Sequence, residues 1–63
     1  MDPEAKRKAR ITVLQKEIEF IHHANELYWR QANPSNEAKA DYYRRQDRLD
    51  EIRSELADLQ AHN

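Results

Sequence analysis

The chain has 63 residues, with 11 Lys and Arg against 12 Asp and Glu, two Pro, and neither Gly nor Cys. That length holds one small domain, which excludes a multidomain enzyme. Without Gly, the tight turns of most β architectures and every glycine-rich phosphate loop drop out, and without Cys so do disulfide frameworks, thiolate zinc sites and thiol nucleophiles. The apolar run from Ile18 to Ile21 is broken by Glu19, far too short for a membrane span or a signal peptide. A soluble, cytoplasmic, all-α protein with no membrane partner is expected.

Asp2-Pro3-Glu4 reads as a helix start, because the Asp side chain caps free backbone amides while Pro at the first helical position gives up no needed donor. No breaker follows until Asn33-Pro34, so the first helix is predicted over about residues 3–32, roughly 45 Å long. Asn33-Pro34-Ser35-Asn36 is the one turn-like cluster and places the turn at about 33–36. The second helix is then predicted over about 37–61. A turn this short makes the two helices antiparallel neighbours, so the whole of 1–63 is read as a single helical-hairpin domain.

Apolar spacing sets the register. Ile11, Leu14, Ile18, Ile21, Asn25, Tyr28 and Ala32 step by alternating threes and fours, a heptad seam, and Ala38, Tyr42, Arg45, Leu49, Ile52, Leu56 and Leu59 do the same in the second helix. Folded about the turn, the layers become Ala32 with Ala38, Tyr28 with Tyr42, Asn25 with Arg45, Ile21 with Leu49, Ile18 with Ile52, Leu14 with Leu56, and Ile11 with Leu59. One register thus pairs the only two polar interruptions. A slip would set Asn25 or Arg45 against an aliphatic side chain, which is unfavourable because a buried polar group needs a partner.

A hairpin buries one stripe per helix, and a core this small rarely contributes more than about 3–5 kcal/mol. The first helix carries a second stripe: Val13, Phe20 and Leu27 recur every seven residues, about 100° round from the seam, with Ala24 between the two. Outside its seam the second helix offers only Ala40, Tyr43, Ala57 and Ala61. The first helix therefore calls for another partner, and the reading is self-association through Val13, Phe20, Ala24 and Leu27, with two hairpins forming a four-helix bundle. An antiparallel pair centred on Phe20 sets Val13 of one copy opposite Leu27 of the other. A helix from a different protein fits the same face.

In length, helix number and heptad seams the chain resembles the Rop-type hairpins, small plasmid RNA-binding proteins whose family dimerises into a four-helix bundle. The resemblance is one of topology over nearly the whole chain and rests on no residue-by-residue motif. It implies the bundle, and it sets beside the assembly reading an alternative: an RNA-binding regulator using a basic helix surface. The residues for such a role are Lys6, Arg7, Lys8 and Arg10. Against it stand the near-neutral net charge and the acidic Glu51, Glu55 and Asp58, which the hairpin brings beside that basic start.

Glu19 and His22 have the Glu-x-x-His spacing of di-metal carboxylate bundles, with His23 and Glu26 nearby, but they fall on the solvent side of the seam, so no metal or cofactor is expected. No Ser, His and acid set and no inward pair of carboxylates offers a catalytic constellation, and an enzyme is not expected. Tyr28, Trp29, Tyr42 and Tyr43 gather near the turn. Tyr28 and Tyr42 are assigned to the local core, and Trp29 to its edge.

Overall fold

The computed structural model describes residues 2–61, which form two α-helices, α1 (Pro3–Trp29) and α2 (Asn36–Ala61), packed side by side. The Cα trace measures 48 × 15 × 15 Å, a short rod with room for a single seam. The start of α1 follows from its sequence: Asp2 Oδ1 accepts the Glu4 amide at 3.0 Å, and Pro3 occupies the first turn. Among the described residues no helix is long and apolar enough to cross a membrane.

The turn corrects the sequence reading. Helix α1 stops at Trp29 rather than near residue 32, and α2 begins at Asn36. Pro34 bars a continuous helix through this stretch, because it has no N–H to donate to a carbonyl four residues back and it disfavours the α region for Asn33. Instead Arg30 caps the helix in the αR region, and the Gln31 amide donates to the Tyr28 carbonyl at 3.1 Å, tightening the last turn. Ser35 caps α2, its Oγ accepting the Ala38 amide at 3.1 Å. The reversal is made without any residue at positive φ among those described, which is how a chain with no Gly can close a hairpin. One expected layer is lost: Ala32 lies exposed in the turn, so Ala38 has no helical counterpart there.

The remaining layers carry the seam. Tyr28 stacks on Tyr42 with ring centroids 4.7 Å apart and planes 14° off parallel, and Arg45 Nε donates to Asn25 Oδ1 at 2.7 Å. These two pairs establish the register predicted from spacing. Leu14, Ile21, Leu49 and Ile52 are buried, with Ile18, Leu56 and Leu59 packed against them and Ile11 half-buried toward the open end. Asn25 is also buried, and its amide donates to Gln46 Oε1 at 3.1 Å. Both ends of the Asn25 side chain are thereby satisfied, and no buried side-chain N or O among the described residues lacks a partner.

The polar layer favours register over stability. Replacing Asn25 with Leu alone strands the Arg45 and Gln46 partners and is expected to lower the urea midpoint by the equivalent of about 1 kcal/mol. Changing Asn25 and Arg45 together to Leu is expected to recover that loss or exceed it. If the double variant is the less stable of the two, the layer stabilises the fold in its own right.

Candidate functional site

The second apolar stripe of α1 stays in solvent on the hairpin. Val13 is 53 % exposed, Phe20 72 % and Leu27 49 %. Residues seven apart on a helix return to nearly the same angle, so the three form one line along the rod. Ala24 lies half-buried between that line and the seam. It occupies a flanking position that Glu17 and Arg10 hold one and two heptads earlier, and where they reach across to α2 its methyl cannot. The result is an open groove of about 540 Å³ with Glu17, Phe20, Ile21 and Ala24 of α1 on one side and Asp41, Arg44, Arg45 and Arg48 of α2 on the other.

Paired charges frame the same face. Arg48 clamps Glu17 across the helices with Nε and Nη2 donating to the carboxylate at 2.5 and 2.9 Å, and a third donor reaches Glu51 at 3.1 Å. Arg10 makes the matching two-pronged contact with Glu55 at 2.5 and 3.0 Å. Arg44 pairs with Asp41 on its own helix. Residues 10, 17, 48 and 55 each precede a seam position, which is where an antiparallel hairpin sets its flanking pairs. The spacing therefore contained the Glu17–Arg48 contact, although reading the seam alone does not bring it out; the same is true of Gln46 beside Asn25.

These contacts give a pH dependence. The hydrogen bond from Arg48 holds the Glu17 carboxyl below its ordinary value of 4.5, and that from Arg10 does the same for Glu55. The Arg48 guanidinium is held correspondingly higher by its bonds to Glu17 and Glu51. Since both carboxyls titrate lower in the folded chain than in the unfolded one, their stabilisation is complete above about pH 4.5 and is lost as pH falls from there through the lowered values. Helicity is expected to decline across that range, and the pair of changes Glu17→Gln and Glu55→Gln is expected to flatten the acid limb while lowering stability at neutral pH. A native acid profile in that variant would mean the two clamps are energetically silent, as exposed pairs can be.

The basic start of α1 is largely engaged within the chain. Arg7 binds Glu4 and donates to the Leu59 carbonyl at 3.0 Å, and Arg10 holds Glu55, which leaves Lys6 and Lys8 exposed. Lys6, Arg7 and Arg10 share a hollow of about 470 Å³ at the open end with Glu55, Asp58 and Leu59. Glu19, His22, His23 and Glu26 all lie exposed on α1, and no group of three or more acid or His side chains among the described residues is placed to hold a metal ion. At the turn Trp29 meets Tyr42 edge-on, with ring centroids 6.3 Å apart, and keeps 63 % of its surface in solvent.

Compared with protein-family models, with curated proteins and with solved structures, the chain matches none. The functional argument therefore rests on this chain's own residues.

Proposed function

We propose that this hairpin is a non-catalytic assembly module, two copies joining through Val13, Phe20, Ala24 and Leu27 to complete a four-helix bundle. One observation carries the reading: three large apolar side chains stand about half or more exposed in a single line, on a molecule whose buried apolar core, among the described residues, is Leu14, Ile21, Leu49 and Ile52. Scattered apolar residues on a surface need no explanation, but a continuous stripe on a marginal core does. Covering it adds burial where the isolated hairpin lacks it. The engagement of Arg7 and Arg10 inside the chain favours assembly over the nucleic-acid reading, since it leaves Lys6 and Lys8 as the two members of that basic cluster free to reach phosphates.

The test is sedimentation across a concentration range with the far-UV helical signal followed in parallel. The expected result is a helical dimer whose thermal midpoint rises with concentration. A well-folded monomer at every concentration overturns the proposal and turns the stripe over to a heterologous helix.

A further inference from the structure

Resting on the self-association reading, we infer that the second copy docks end for end, its turn beside the open end of the first, with each Phe20 seated in the other's groove above Ala24. Two independent features of the face point to this orientation. The first is the lean of the side chains. Every Cα–Cβ bond on a helix tilts toward the N-terminus. When two copies of α1 run antiparallel about Phe20, that tilt carries each Phe20 past the twofold axis toward Ala24 of its mate, over the groove walled by Arg44, Arg45 and Arg48. Parallel copies would lean the same way, and each Phe20 would meet the Glu17 end instead.

The second feature is charge on α2. Its residues on this side run Asp41, Arg44, Arg48, Glu51, Glu55, Asp58, with both arginines in the turn half and three of the four acids in the other. Their spacing is symmetric about a point between Leu49 and Asp50. Since Ile21 faces Leu49 in the seam, that point lies level with Phe20, the centre of the apolar stripe. A twofold axis there serves both helices. Val13 meets Leu27 of the second copy, and two of the three α2 pairs are opposite in charge, Arg44 with Glu55 and Arg48 with Glu51, while the third sets Asp41 near Asp58; Arg48 and Glu55 keep their clamps to Glu17 and Arg10 within the chain. Of the alternatives, docking with both turns at one end lays the stripe of α1 across the charged edge of the other copy's α2, so that Phe20 is covered by Arg48 and Glu51. That arrangement removes charges from water without covering apolar surface.

The chain has no Cys, so introduced thiols report without background. Val13 and Leu27 lie outside the buried core, and cysteines there leave the hairpin's own packing intact. They are also two heptads apart, about 21 Å along α1, too far to bridge within one chain. A chain carrying both Val13→Cys and Leu27→Cys is expected, on mild oxidation, to shift mostly to twice its mass on a non-reducing gel and to return on reduction, while either single variant stays unlinked. Linkage of Val13→Cys alone overturns the orientation, since it places like positions together. A variant that sediments as a dimer yet never cross-links also overturns it, with the assembly reading intact. If both the native chain and the variant sediment as monomers, the assembly reading itself has failed and takes this inference with it.

Discussion

Changing Phe20 to Glu is expected to convert the proposed dimer to monomer in sedimentation, raising the dissociation constant at least a hundredfold. On the isolated hairpin Phe20 is 72 % exposed, so the substitution removes little of the chain's own packing. In the proposed dimer it removes two buried aromatic side chains, each contributing about 1.5–3 kcal/mol, and sets two carboxylates near the twofold axis without partners. A loss of about 3 kcal/mol is already a factor of more than a hundred in affinity. The released monomer retains its seam but stands at the edge of stability, so its helical signal is expected to melt earlier and without dependence on concentration. Phe20→Leu, which keeps an apolar side chain of similar reach, is the control and should remain dimeric. A glutamate variant sedimenting like the native chain would remove the stripe from consideration as an interface.

The second large effect lies in the seam. Ile52 is fully buried at the centre of α2, and Ile52→Ala is expected to cost about 2–5 kcal/mol, most or all of what so small a core contributes. The variant should show little helical signal at 25 °C at low concentration. Ser54→Ala, two residues on and exposed, changes no packing and slightly favours the helix, so it should match or exceed the native urea midpoint. The contrast separates loss of packing from a general effect of alanine. Near-native unfolding of Ile52→Ala would mean that dimer contacts, and not the intrachain seam, dominate stability.

The legible part of this protein is the part governed by period and local chemistry. Asp2-Pro3 marks a helix start in any context, because capping and the missing proline donor act within one turn. Steps of three and four return side chains to one face of any helix, so the two seams, and the register pairing Asn25 with Arg45 and Tyr28 with Tyr42, can be read before folding. The boundary at the turn is less legible. Asn33-Pro34 advertises a break, yet the helix ends earlier, at Trp29, which removes Ala32 from the seam.

Spacing also names Val13, Phe20, Ala24 and Leu27 as one face, since the angle between a seam and a second stripe is a property of the helix alone. The shape of that face is different in kind. That Ala24 leaves a groove, that three arginines of α2 wall it, and that Arg48 spans Glu17 and Glu51 depend on how far side chains from two helices reach toward each other across a few ångströms. Residue type and order fix which side chains share a face, because helical geometry is local and repeats. Which of them meet, and which hollow is left when one is too short to meet anything, was decided only by the packing of α1 against α2, because those distances exist only between helices.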